Sequence, residues 1–211
     1  MACVTPSIAL AVAAVDALVR AGVRHVVLCP GSRSAPLAYA LAARERDGAL
    51  RLWVRHDERV AAFTALGMGR AGHPAAVVTT SGTAAANLHP AVLEAHHTGV
   101  PLVAVTADRP QSLRGTWANQ TSELQSTLFG GAVRAHCDLA VAEPAQLAGA
   151  ITSALGGGGR RPGPVHLDLG FEEPLLPDGE LPAAAHRPPP PRWAGQWTAW
   201  SPDRSEPPAP G

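Results

Sequence analysis

The chain contains no lysine: all 17 of its basic residues are arginine. This excludes Schiff-base chemistry on a lysine amine, a pyridoxal-phosphate enzyme and a complete phosphate-binding P-loop, each of which needs that side chain. The formal net charge is zero, so neither nucleic acid nor an anionic membrane is favoured as a general partner. Cysteine is scarce. Cys3, Cys29 and Cys137 are odd in number and widely spaced, which argues against a disulfide framework and for a reducing compartment, the cytoplasm. Long apolar runs are missing too. The stretch from Ile8 to Val19 contains Asp16 and is too short to span a membrane, and no basic segment precedes it. Asparagine occurs twice, at Asn87 and Asn119, each time in a polar turn between apolar segments.

A 46% apolar chain of 211 residues supplies one substantial core. Thr5-Pro6 reads as a helix N-cap with proline at the first helical position, and Gly22 as the stop. Beyond it, short apolar strands alternate with helices. The strands read as His25 to Cys29, Leu50 to Val54, Ala75 to Thr80, Leu102 to Thr106, one within Val133 to Val141, and Val165 to Leu169. The helices read as Pro36 to Arg46, Asp57 to Ala71, Ala84 to His97, Ala118 to Phe129 and a segment after Pro144. Parallel neighbours need crossover connections, so this alternation predicts an α/β fold, a parallel six-stranded sheet with helices on both faces. The domain is expected over 1–175. Residues 176–211 read as a linker or tail, because more than half of the 21 prolines fall after Gly170. Trp193, Trp197 and Trp200 interrupt that tail, and disordered segments are poor in aromatics, so they are expected to dock on another surface.

Ligands of parallel sheets sit beyond the carboxyl ends of the strands. The polar motifs fall there: Pro30-Gly31-Ser32-Arg33-Ser34, His56-Asp57-Glu58, Thr80-Ser81-Gly82-Thr83 and Ala107-Asp108-Arg109-Pro110. Each has an ordinary reading beside a functional one. Glu58 suits the first turn of a helix as a capping acid; as a functional group it needs an apolar pocket that raises its proton affinity. Ser81 or Thr83 suits an N-cap, or the same turn presents backbone N–H groups to a ligand. Ser32 and Arg33 suit a carboxylate or phosphate, or simply solvent. His89, His96 and His97 lack the spacing of a zinc helix. No G-x-S-x-G elbow surrounds Ser32, Ser34 or Ser81. Gly156 to Gly159, followed by Arg160-Arg161, stands after a helix and before a strand, the reverse of a nucleotide loop, and reads as a connection.

Taken in order, Pro30-Gly31-Ser32-Arg33-Ser34-Ala35-Pro36, His56-Asp57-Glu58-Arg59, Thr80-Ser81-Gly82-Thr83-Ala84-Ala85-Ala86-Asn87, Thr106-Ala107-Asp108-Arg109-Pro110 and Ala118-Asn119-Gln120-Thr121 resemble one family closely. They are similar to the N-terminal, pyrimidine-binding domain of the 2-succinyl-5-enolpyruvyl-6-hydroxy-3-cyclohexene-1-carboxylate synthases, thiamine-diphosphate enzymes of menaquinone biosynthesis. The resemblance runs over about residues 5 to 175. It implies that Glu58 hydrogen-bonds N1′ of the cofactor's aminopyrimidine and favours the tautomer that takes the thiazolium proton. Pro30, Thr80, Ser81, Gly82 and Asn87 would lie near the pyrimidine. Ser32, Arg33, Arg109, Asn119 and Gln120 would line the side of the two substrates, isochorismate and 2-oxoglutarate, which are both dicarboxylates suited to arginine. The resemblance also implies a homodimer or other homo-oligomer, whose sites join this domain to the diphosphate-binding domain of a second subunit. No residues here match the Gly-Asp-Gly…Asn motif that holds Mg²⁺ and diphosphate, so no metal site is expected on this chain and activity is expected only with a complementary domain. Trp117 departs from the family, which has a small residue there. Two other readings stand beside this one: a non-catalytic dicarboxylate-binding or regulatory module derived from the enzyme, and a different thiamine-diphosphate decarboxylase or ligase.

Overall fold

The computed structural model describes residues 5–121, 124–177 and 179. The expected proline-rich tail, with Trp193, Trp197 and Trp200, lies outside the described residues. In chain order the elements are α1 (Pro6–Arg20), β1 (His25–Leu28), α2 (Ala35–Arg46), β2 (Arg51–Val54), α3 (Glu58–Arg70), β3 (Ala75–Thr79), α4 (Thr83–Ala86), α5 (His89–Thr98), β4 (Leu102–Asp108), β5 (His136–Leu139), α6 (Pro144–Ala154) and β6 (Pro164–Gly170). The strands form one six-stranded sheet in the order β2-β1-β3-β4-β6-β5, and every pairing is parallel. This is the sheet expected from the sequence.

Alternate residues of β1 to β4 feed two cores, and β5 and β6 add to the first. Val26, Leu28, Val78 and Val105 join α1, α2 and α6 on one face. Val27, Val77, Leu102 and Ala104 join α3 and α5 on the other. The central strands β3, β4 and β6 are buried at every position, whereas the edge strand β2 is exposed or half-exposed. That contrast explains why the inner strands read as continuous apolar runs. Ile8, Leu10 and Leu18 on α1 are fully enclosed, each contributing about 1.5–3 kcal/mol by removal from water. The expected cap of α1 forms, with Thr5 Oγ1 accepting from the Ile8 N–H at 3.3 Å.

Two expected helices are corrected. The segment from Ala84 to His97 splits into α4 and α5 around Asn87 and Leu88. Pro90 has no N–H to return to the preceding turn, so one continuous helix is broken there. No α-helix spans Ala118 to Phe129 among the described residues. That region runs through turns and short 3₁₀ segments, Gln111–Leu113, Gln125–Thr127 and Gly130–Ala132. Its side chains are committed elsewhere: Asn119 to Arg109, and Gln125 to the ends of three strands. Both sets of bonds require an irregular path.

The chain leaves β1 for β2 on one side and returns to β3 on the other. The switch point of this sheet therefore lies between β1 and β3, and the loops after those strands flank a crevice at its carboxyl edge. The loops touch closely. A Cβ placed on Gly31 would lie 2.6 Å from the Thr80 Cβ, so only glycine allows this approach.

Candidate active site

Glu58 is the first residue of α3, but it does not cap the helix. Asp57 does, its carboxylate accepting from the Val60 N–H at 2.8 Å. Glu58 is free to face across the crevice, where its Oε2 accepts from Asn87 Nδ2 at 3.2 Å. Asn87 stands where α4 ends, so the helix break caused by Pro90 is what presents that amide to Glu58. The Cys29 thiol, at the end of β1, is pushed up to about 11 by burial and then by the Glu58 and Asp57 carboxylates. The enclosure expected around Glu58 is only partly provided: the side chain is half-buried, because this side of the crevice is open. On the outer faces of α3 and α5, Val60, Phe63 and Leu93 are exposed.

The turn after β3 resolves the N-cap alternatives. Gly82 occupies the N-cap of α4 with φ of 75°, and neither Ser81 nor Thr83 caps it. The buried hydroxyls of Thr79, Thr80 and Ser81 have no hydrogen-bond partner among the described residues. Leaving a buried hydroxyl unpaired costs about 1–3 kcal/mol, so each of them calls for a partner such as water or a bound polar molecule. A glutamate freed from capping, a fixed asparagine amide and this run of hydroxyls fit the ring nitrogens and amine of an aminopyrimidine. Pro30 lies exposed on the neighbouring loop after β1.

The residues expected on the substrate side form a second group. Arg33 is buried, with NH1 donating to the Phe171 carbonyl at 2.8 Å and NH2 3.4 Å from Glu173; its Nε has no partner. Burial, and next the charge of Arg109, lower its proton affinity. The Glu173 carboxylate partly offsets this, which shows that the Arg33 guanidinium favours an anion beside it. Arg109 holds Asn119 at two points, Nε to the backbone carbonyl at 3.1 Å and NH2 to Oδ1 at 2.7 Å. Gln120 has φ of 53° and its backbone lies 3.1 Å from where a Gly82 Cβ would stand. Ser32 is exposed, while Ser34 is buried and donates to the Gly31 carbonyl. The structure thus pairs Glu58 with Asn87, Gly31 with Thr80, Gly82 with Gln120 and Arg109 with Asn119.

A buried polar network beneath these loops was not anticipated from the sequence. The Thr106 hydroxyl donates to Asp168 Oδ1 at 2.6 Å and lies 2.7 Å from His166 Nε2. Gln125 donates to the same Asp168 oxygen at 2.8 Å and to the Ala107 carbonyl at 3.0 Å. Burial, and then the nearby Asp108, push the Asp168 carboxyl up to about 7; burial pulls His166 down to about 4. Arg114 forks onto Asp138 at 2.7 and 2.9 Å and reaches Asp108 at 3.3 Å. The fork holds the Asp138 carboxyl below its ordinary value, whereas burial outweighs the weaker bond at Asp108 and raises it. The available signal was Asp168 itself, a carboxylate inside the apolar strand run Val165 to Leu169.

At the opposite edge of the sheet, a groove of about 430 Å³ is lined by His96, His97, Arg134, Arg160 and Arg161. Two of its arginines are engaged: Arg134 donates to the His96 carbonyl at 3.1 Å and Arg161 to the His97 carbonyl at 3.0 Å.

Comparison with known proteins shows the family of the chain. Residues 8–128 match the family described as thiamine pyrophosphate enzyme, N-terminal TPP binding domain. The chain is 56% identical over 187 residues to the 2-succinyl-5-enolpyruvyl-6-hydroxy-3-cyclohexene-1-carboxylate synthase of Kineococcus radiotolerans, an alignment covering 84% of this chain and 34% of that protein. It is 52% identical over 183 residues to the synthase of the same name from Rhodococcus erythropolis, covering 82% and 34%. It is 48% identical over 198 residues to that of Mycobacterium marinum, covering 87% and 36%. The chain thus spans about a third of the length of these relatives.

Proposed function

The chain belongs to the thiamine pyrophosphate enzymes, through their N-terminal TPP binding domain, and from that premise we propose that it supplies the pyrimidine-binding half of a 2-succinyl-5-enolpyruvyl-6-hydroxy-3-cyclohexene-1-carboxylate synthase. The reaction is decarboxylation of 2-oxoglutarate and addition of the remaining succinyl-semialdehyde unit to isochorismate. The observation that carries this reading is the release of Glu58 from helix capping by Asp57, together with its bond to Asn87 beside the unpartnered Thr80 and Ser81 hydroxyls.

When bound, thiamine diphosphate supplies the electron sink for the carbanion left as carbon dioxide departs. The chain's own groups do the rest. Glu58 holds a proton at the pyrimidine ring nitrogen, and Asn87 fixes the carboxylate that does so. Thr80, Ser81 and Gly82 form the polar seat, with Pro30 on its rim. Arg33 and Arg109 hold substrate carboxylates, Arg109 also bracing Asn119 beside Gln120, with Ser32 at the loop entrance.

Mg²⁺ and the diphosphate belong, in this proposal, to a diphosphate-binding domain of a second subunit. That domain covers the open side of the crevice, where exposed Val60, Phe63 and Leu93 offer apolar area and Glu58 lacks enclosure. Covering desolvates Glu58 and gives it the proton affinity the chemistry needs. The working assembly is a homo-oligomer. We place it in the cytoplasm, supported by the unpaired cysteines Cys29 and Cys137; no described helix is long and apolar enough to cross a membrane.

The test combines the chain with the diphosphate-binding part of one of its relatives and follows isochorismate-dependent consumption of 2-oxoglutarate. Turnover is expected, and Glu58→Gln should lower it about 10²–10⁴-fold, the usual contribution of a positioned proton-transfer group, with the melting temperature unchanged. Absence of turnover with the unmodified chain, or full activity in Glu58→Gln, overturns the proposal.

A further inference from the structure

We propose that Gln125 is a positioning residue of this site: its buried side-chain amide fixes the Gly82 turn, and through that turn the seat for the aminopyrimidine. The functional half of this inference rests on the reading above; the positional half does not. Gln125 is fully enclosed. Its Oε1 accepts from the Gly82 N–H at 2.7 Å, and its Nε2 donates to Asp168 Oδ1 at 2.8 Å and to the Ala107 carbonyl at 3.0 Å. The three bonds define the orientation of the amide, because a flipped amide would set its own N–H groups against that of Gly82.

The bonds connect very different parts of the molecule. Ala107 and Asp168 belong to β4 and β6, buried along their whole lengths. Gly82 belongs to a turn with no side-chain cap, so Gln125 is what holds its N–H. Asp168 is itself fixed, through Thr106, to His166. Gln125 thereby transfers the position of the sheet to the turn. The turn has little freedom on its other side, since a Gly82 Cβ would meet the Gln120 backbone at 3.1 Å. One side chain therefore sets the spacing between the expected cofactor turn and the loop carrying Asn119 and Gln120. The chain between them needs no contact with cofactor or substrate to affect both.

The experiment follows hydrogen exchange at the Gly82 amide by ¹H–¹⁵N NMR in the 211-residue chain. Two substitutions separate the acceptor from simple space filling. Gln125→Leu removes the acceptor and should speed exchange at Gly82 about 10- to 100-fold, as expected for local opening of one turn, while the strands stay protected. Gln125→Glu keeps an acceptor and, with its buried carboxyl protonated, one donor towards Asp168, so measured at about pH 5 it should leave the Gly82 amide protected. If Gln125→Leu does not fold, protection of Gly82 in Gln125→Glu still supports the proposal and its loss overturns it. Unchanged Gly82 exchange in a folded Gln125→Leu, or equal loss in both variants, assigns Gln125 to packing alone and also overturns it. In the combined assay, Gln125→Leu should raise the KM for thiamine diphosphate about tenfold with a smaller change in kcat, since it disturbs binding rather than proton transfer, and Gln125→Glu should restore it. An unchanged KM in both variants removes the functional half of the inference. Failure of the unmodified chain to turn over counts against the proposed function, while the Gly82 amide still decides the positional claim.

Discussion

At the amino edge of the sheet, Arg134 and Arg161 donate to the last carbonyls of α5. At the carboxyl edge, the hydroxyls of Thr79, Thr80 and Ser81 are buried without a partner. Both edges are polar and, among the described residues, both keep a buried group unpartnered: a single guanidinium nitrogen, Arg134 Nε, at the amino edge, and a succession of three hydroxyls at the carboxyl edge. Cations at a helix C-terminus complete groups that the helix itself leaves open, so the arginines of the amino edge are explained by the fold. The hydroxyls of the carboxyl edge are not. The fold thus accounts for most of the basic groove's polar groups, and leaves those beside the crevice after β3 unaccounted for.

The sharpest way to break this comparison lies beneath the carboxyl edge. Asp168 keeps its proton in the folded chain up to about pH 7, whereas an unfolded aspartate loses it near pH 4. The folded state then binds more protons in that window, so this group's contribution to stability falls as pH rises from about 4 to about 7. His166 acts in the opposite sense: folded, it stays neutral down to about pH 4, so its contribution is lost as pH falls from about 6.5 to about 4. The two largely offset each other in the native chain. Asp168→Asn leaves only the histidine, and its stability should rise with pH across that window by on the order of a few kcal/mol more than the parent's, read as melting temperature at several pH values. Parallel profiles would show that Asp168 carries no proton there.

A smaller contrast compares the edges directly. Arg134→Ala removes the donor to the His96 carbonyl and should cost about 1–3 kcal/mol in denaturant unfolding, without affecting turnover in the combined assay. Ser81→Ala removes a hydroxyl that has no partner, so the isolated chain should keep or slightly gain stability, within about 1 kcal/mol, while thiamine diphosphate binding weakens. A large loss of stability in Ser81→Ala would mean that the turn is already complete. The smallest expected effect concerns Trp117, which has φ of 60° and is 98% exposed. A left-handed conformation costs a non-glycine residue about 1–2 kcal/mol. Trp117→Gly should therefore stabilise the chain by about 1 kcal/mol, measured by the same denaturation, and an unchanged midpoint would show that the loop relaxes around the indole.

Much of the fold was legible because its signals are local. Thr5-Pro6, the apolar runs and the spacing of the polar loops gave the element order, and parallel strands with helical crossovers gave the sheet. The helix expected over Ala118 to Phe129 failed because Arg109, 10 residues before Asn119, and Asp168, 43 residues after Gln125, bind those two side chains. Glu58 was legible as a candidate, but spacing left it equal to a capping acid. Only the bond from the Asp57 carboxylate to the Val60 N–H assigns the cap elsewhere. Gln125 was not legible at all, since a single glutamine in a polar stretch carries no periodic or motif signal.

The sequence by itself determined the parallel α/β architecture, the carboxyl-edge location of the polar motifs and the exclusion of lysine chemistry. These follow from hydrophobic periodicity, crossover geometry and residue chemistry, which act over a few neighbouring positions. The tertiary structure decided which acid caps α3 and which faces the crevice, where the Glu58 carboxylate finds Asn87, and what holds the Gly82 turn. The cap is a local bond three residues long, but the Glu58–Asn87 pairing and the hold on Gly82 depend on hydrogen bonds between segments 29 to 43 positions apart. No local pattern encodes such pairs, because they exist only once the two cores have brought the strand ends together.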